Sequence, residues 1–186
     1  MNEPSQPIRL YRYALSGHAH RVQLFLSLLN LPYQMIDIDL RQGEQKQEAF
    51  LAKNPFGQVP VIEDGDTTVF DSNAILVYLA TNYGKAWLPS DALGAATVQR
   101  WFTMAAGPIA FGAAAARVAA VFGAPIDGER AKSIAHNLFK VLNNEMAGKD
   151  FALGTQPSVA DIAAYTYIAH APEGGISLDE IGRAHV

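Results

Sequence analysis

The chain has 186 residues, 49% of them apolar, with 14 basic and 18 acidic side chains, a net charge of −4 and no cysteine. That length and apolar share can bury the core of one or two domains, and the absence of any basic run excludes the electrostatic footprint of a nucleic-acid binder. Without cysteine there is no disulfide, no thiolate metal site and no protein-thiol redox chemistry, so any thiol chemistry must come from a ligand. No continuous apolar stretch approaches the ~20 residues of a membrane span, and residues 1–8 lack the apolar core of a secretory signal. The expected compartment is the cytoplasm.

Residues 8–13 read as a first strand, broken by Ser16-Gly17-His18 before Val22, Phe25, Leu26 and Leu29 repeat at helical spacing. Asn30-Leu31-Pro32 stops that helix, and residues 33–38 resume an extended pattern, so the two strands should be parallel. A short polar helix is expected over 46–52. Residues 59–63 and 68–70 are expected to form a hairpin around Glu63-Asp64-Gly65-Asp66. Ile75, Leu76 and Leu79 then begin a helix that Gly84 ends. This is a small α/β domain with a mixed sheet.

Trp87 to Asp91 reads as a linker, and everything after it as helical. Val98, Trp101, Phe102 and Ala105 share a face, Gly107-Pro108 should kink or interrupt that helix, and Ile134, Leu138, Val141 and Leu142 mark another. Ser158 and Asp161 carry a capping-box signature, the hydroxyl accepting from the Asp161 amide and the carboxylate reaching back to the Ser158 amide. His136 and His170 have no metal-ligand partners at useful spacing, and no metal is expected.

The most informative stretch is Asn54-Pro55-Phe56-Gly57-Gln58-Val59-Pro60-Val61-Ile62-Glu63-Asp64-Gly65, followed by Phe70-Asp71-Ser72. Proline in a strand belongs at its first residue, an edge or a bulge, and a sharp turn at Val59-Pro60 would leave the Val59 backbone free to pair with an extended ligand. Asp71 and Ser72 fall where a strand ends and a helix begins, so free amides and the positive end of the helix dipole suit a ligand carboxylate. The Asp71 carboxylate suits an ammonium. The pattern is that of a peptide-binding surface.

Three blocks, Leu10-Tyr11 through Ser16-Gly17-His18-Ala19-His20-Arg21-Val22, Asn54 through Pro60 with Asp71-Ser72, and Pro157 through Ile162, resemble the cytosolic glutathione transferases. The likeness is nearest to the bacterial, serine-type relatives of the theta and phi classes. It covers most of the chain and implies an α/β plus all-α architecture: a thioredoxin-like domain with a mixed four-stranded sheet (1–84), a linker (85–91) and an all-helical domain (92–186). It implies an enzyme that activates the glutathione thiolate, glutathione being co-substrate, for attack on a small hydrophobic electrophile. A homodimer is implied as well, with no membrane or nucleic-acid partner. Alternatives are a non-catalytic scaffold of the same fold, which intact Ser16, Val59-Pro60 and Asp71-Ser72 argue against, and a glutathione-dependent peroxidase or isomerase.

By this resemblance, Ser16 is the thiol-activating hydroxyl; closeness in the chain makes His18 next in line and Tyr11 and Tyr13 contenders. A free thiol titrates near 8.5, so a hydroxyl donor at a helix N-terminus has the direction needed to lower it. Val59, with Pro60 cis, should pair with the cysteinyl part of glutathione, Asp71 and Ser72 should hold the γ-glutamyl end, and Gln58 should add a side-chain contact. Gln45 and Lys46 fall where the family binds the glycyl carboxylate. Phe111 and Arg117 are candidates for the electrophile pocket and Phe56 for a dimer anchor. Asp71 stands where the family more often has glutamate. The family also normally runs on into another helix beyond this chain's last residues, so one wall of the pocket is expected to be open.

Overall fold

Ile8 and Leu10 alternate inward along strand β1 (Ile8–Arg12) and are fully buried. β1 pairs in parallel with β2 (Tyr33–Asp37) and antiparallel with β3 (Val61–Asp64), which pairs antiparallel with β4 (Thr67–Phe70). The result is a mixed sheet in the order β2-β1-β3-β4. Helices α1 (Gly17–Leu28) and α3 (Ser72–Tyr83) pack on each other and on β1 and β3, burying Val22, Phe25, Leu26, Ile75, Leu76 and Leu79. Between β2 and β3 lie a 3₁₀ turn, Glu44–Lys46, and the single-turn helix α2 (Glu48–Leu51). This computed structural model describes residues 3–179 and Ile181 and divides into two units between Leu88 and Pro89. The expectation about the short carboxy-terminal end concerns residues that, from 182 on, lie outside the described residues.

One local reading needs correction. The hairpin turns on Gly65-Asp66, because Asp64 pairs with Thr67; the strands therefore run one residue further into the turn, and β3 starts at Val61, leaving Val59 outside the sheet. Gly84 ends α3 without a left-handed conformation (φ −138). Glycine is needed there for space, since a Cβ would lie 2.5 Å from Leu29 Cδ2. Beyond it a 3₁₀ turn, Lys85–Trp87, sets Trp87 edge-on against Phe25, so this part of the expected linker packs on the first unit.

The second unit is helical among its described residues: α4 (Ala92–Met104), a π-helical segment Ala105–Ala114, α5 (Ala115–Phe122), α6 (Gly128–Glu145) and α7 (Val159–Ala169). The expected interruption at Gly107-Pro108 takes the form of that π segment, with Gly107 at φ −106, ψ −105 and one carbonyl deprived of its amide by proline. The run Ala92–Phe122 is long and apolar enough, by length and composition, to cross a membrane, which corrects the expectation that no stretch reaches that size. Its alanine-rich faces pack on α6 and α7. On α6 the buried face is Ala131, Ala135, Leu138, Phe139 and Leu142, whereas Val141 points outward.

The capping box starts α7: the Ser158 amide donates to Asp161 Oδ2 at 2.8 Å, while Asp161 Oδ1 accepts from the Ala152 amide at 2.6 Å. One carboxylate thus caps the helix and anchors the loop before it.

Candidate functional site

A cavity of about 290 Å³ opens in the first unit, lined by His18, Asn54, Phe56, Gln58, Val59, Pro60, Phe70, Asp71 and Ser72. That volume suits a short peptide. The Val59–Pro60 peptide is cis, and among the described residues the Val59 amide and carbonyl have no backbone partner. Its loop is shaped from inside by Asn54, a buried residue whose Oδ1 accepts from the Phe56 amide at 3.0 Å and whose Nδ2 donates to the Gln58 carbonyl at 2.8 Å.

Asp71 caps α3, its Oδ1 accepting from the amides of Asn73 (2.9 Å) and Ala74 (3.0 Å). Its backbone sits at φ +70, ψ 123, a region that side chains avoid at a cost of ~1–3 kcal/mol. Backbone outliers of this kind gather at ligand clamps and active sites. Ser72 is buried beside it, and its Oγ accepts from Arg21 Nη1 at 2.9 Å; the same nitrogen donates to Asn73 Oδ1 at 2.8 Å. Arg21, 1% exposed, brings positive charge beneath the α3 N-terminus. Burial, then the charge of Arg21, pull the His18 imidazole down to about 4, Asp71 opposing, so His18 is neutral at physiological pH. Its Nδ1 lies 3.2 Å from Ser72 Oγ. Two helix N-termini and a buried guanidinium therefore converge on one wall, a setting for an anion.

Ser16 is the N-cap of α1, its Oγ accepting from the Ala19 amide at 3.2 Å. That bond uses a lone pair and leaves the hydroxyl proton available, so capping and donation are compatible. The first turn of α1 holds no acidic residue to offset its dipole. Ser16 does not line the cavity, but it lies in the chain between His18, which does, and Tyr13, Ala14 and Leu15, which line a second cavity of about 500 Å³ with Asp37, Ile38, Asp39, Arg41 and Glu44.

Family models match residues 6–81, as the glutathione S-transferase N-terminal domain, and 113–171, as its C-terminal domain. The maize protein glutathione S-transferase 3 is 34% identical over 166 residues, 79% of this chain and 73% of that protein. The chain belongs to the glutathione S-transferase family. A glutathione S-transferase structure from Pseudomonas fluorescens Pf-5 superposes with a TM-score of 0.90 at 30% identity, covering 97% of this chain and 93% of that one. A glutathione transferase homologue from Drosophila mojavensis, solved with bound glutathione, gives 0.79 at 27% identity over 88% and 76% of the two chains. The sheet-and-helix unit is accordingly the family's thioredoxin-like domain, followed by its helical domain, and the chain is a transferase by family.

Within that frame, the tyrosine contender at position 11 drops out. Tyr11 is buried and donates to Glu63 Oε2 at 2.7 Å, and burial, then that bond, raise its pKa, the wrong direction for a thiol-activating donor. Gln45 and Lys46 do not line the cavity. Lys46 Nζ donates to the Phe56 carbonyl at 3.1 Å and supports the loop, while Gln45 Oε1 is buried without a hydrogen-bond partner among the described residues. Gly57 (φ +59) must be glycine here, since a Cβ would lie 2.7 Å from the Gln45 carbonyl and 2.8 Å from Lys46 Nζ. Phe56 is 68% exposed and stacks obliquely on Phe70. In the helical domain Phe111 is 67% exposed, but Arg117 is buried and paired with Glu173 at 2.7 Å, whose other oxygen meets His170 Nδ1 at 2.5 Å. Arg117 therefore takes part in an ion pair within the helical unit. Sequence reasoning missed Arg21 and Asn54 as working side chains. Asn54 was visible inside its motif, whereas nothing local marks Arg21 as the buried member of an amphipathic helix.

Proposed function

We propose that this transferase holds glutathione in the cavity of its first unit, roughly residues 1–84, with the γ-glutamyl group on Asp71 and Ser72 and the cysteinyl backbone on Val59. Gln58 adds a side-chain contact, and Gln45 and Lys46, which lie outside the cavity lining, meet the glycyl end where it leaves the cavity. The Ser16 hydroxyl donates to the sulfur, with neutral His18 as second donor. The observation that carries this reading is the unpaired Val59 backbone facing a wall built from the N-terminus of α3 and Arg21. Its support from relatives is the homologue with bound glutathione.

With sulfur at Ser16, the second cavity of the first unit, which starts three residues earlier at Tyr13, admits a small electrophile. The protein works in the cytoplasm as a homodimer in which the exposed ring of Phe56 anchors the partner, and its role is detoxification. Retention on immobilised glutathione followed by turnover of a chromogenic aryl halide tests the reading. Failure of both overturns it in favour of a scaffold, and retention without turnover overturns the catalytic part.

A further inference from the structure

We propose that Glu63, which does not line the cavity, is the positioning residue for the ligand-binding backbone of Val59. The inference rests on the assignment of Val59 above. Glu63 is a buried residue of β3 whose Oε1 accepts from Lys53 Nζ at 2.5 Å and whose Oε2 accepts from the Tyr11 hydroxyl and Arg9 Nη2, both at 2.7 Å. Lys53 immediately precedes Asn54, and Glu63 follows Pro60 by three residues. Their ion pair therefore joins the two ends of the segment that carries Val59.

The same carboxylate also holds the floor of that segment. The Tyr11 ring packs edge-on against Phe50, 6.4 Å between centroids, and belongs to a cluster with Val61 against which Val59 packs. Lys53 Nζ stands 5.1 Å from the centre of that ring, a cation–π distance. Burial by itself would raise the Glu63 carboxyl, yet the bonds from Lys53 and Tyr11 and the charges of Lys53 and Arg9 keep it below the usual carboxylate range. The charged form is the one that gathers all three donors. Neutralising Glu63 removes the anion shared by Lys53, Arg9 and Tyr11, and neutralising Lys53 leaves Glu63 paired with Arg9 alone; either change frees both ends of the loop at once and lets Val59 leave the geometry a bound peptide backbone requires.

The experiment uses the whole chain and reduced glutathione, titrated calorimetrically well below each variant's Tm, with kcat measured at saturating glutathione. Glu63→Gln and Lys53→Met are each expected to weaken glutathione about tenfold, or about 1.4 kcal/mol, with kcat changed less than about threefold. The double variant should be no weaker than either single one, as coupled partners require, and Lys53→Arg should restore binding. Variants that melt earlier but keep the wild-type Kd would make Glu63 merely structural and overturn the proposal, as would losses that add in the double variant. If Glu63→Gln does not fold, Lys53→Met carries the test, since its side chain is only partly buried. Wild-type protein that fails to bind glutathione overturns the Val59 assignment itself, whereas wild-type binding with unaltered variants overturns only the role of Glu63.

Discussion

His18 Nδ1 lies 3.2 Å from Ser72 Oγ, so the first turn of α1 touches the first turn of α3 through two side chains. Ser72 also accepts from Arg21, and the contact therefore couples a neutral imidazole, a hydroxyl and a buried cation behind the surface proposed to receive the γ-glutamyl carboxylate.

The depressed pKa of His18 has a consequence for acid stability. Its folded-state value of about 4 lies below the model-peptide 6.5, so between them the unfolded chain binds a proton that the folded chain does not. The contribution is complete above about pH 6.5 and is lost as pH falls toward 4. His18→Asn is expected to lose less stability between pH 6.5 and 4.5 than wild type, read from urea midpoints, and the wild-type imidazole should show no protonation at pH 6 by NMR. Parallel acid profiles for the two proteins would contradict this.

Ser16 caps α1, and glycine separates that cap from the donor role proposed for its hydroxyl. Replacing an N-cap serine by glycine costs only a few tenths of a kcal/mol, against about 1 for alanine. Ser16→Gly is therefore expected to keep the wild-type Tm within a degree or two while raising the pKa of bound glutathione by about 2 units, roughly 2.7 kcal/mol of thiolate stabilisation. Ultraviolet titration of the thiolate reads this directly, and an unchanged titration removes Ser16 from the mechanism.

At Asp71 charge and capping come apart in a similar way. Asparagine caps a helix about as well as aspartate and tolerates positive φ, so Asp71→Asn should unfold within about 0.5 kcal/mol of wild type. Loss of the charge proposed to meet the ligand ammonium should raise KM for glutathione about tenfold, about 1.4 kcal/mol. A KM that does not move would mean that the carboxylate serves the helix alone.

Gly112 sits where the π segment meets α6: a Cβ there would lie 2.9 Å from the Ala135 amide nitrogen and 3.1 Å from its Cα. Backbone cannot step aside as a flexible side chain does. Gly112→Ala is expected to destabilise the protein by about 1–3 kcal/mol, measured by urea unfolding, and a wild-type midpoint would show that the two elements separate freely.

Much of the fold was legible because its signals are local. The apolar spacing of Val22, Phe25 and Leu26, the breaker at Asn30-Leu31-Pro32 and the Ser158–Asp161 box each fix an element from a few neighbouring residues. The site was legible in part for the same reason: Val59-Pro60 and Asp71-Ser72 are contiguous motifs. What escaped depended on tertiary placement. Tyr11 sits near Ser16 in the chain, yet strand alternation carries its hydroxyl to Glu63. Arg117 has the charge of a pocket residue, but the turn Ala171–Gly174 brings Glu173 to it. Val141 fits the helical period, but the inward face of α6 is centred on Ala135 and Leu138, about 90° away around the axis.

The ion pair between Lys53 and Glu63 also gives the segment it closes a fixed length. With both ends held, one residue more or fewer between Asn54 and Pro60 cannot be absorbed by the flanking strand and helix; it must either open the pair or shift Val59 along its ligand. Insertions that surface loops elsewhere in such a chain would tolerate are barred here, so in the proposed binding mode the spacing between that lysine and that glutamate is as much a part of the site as the residues that touch the ligand.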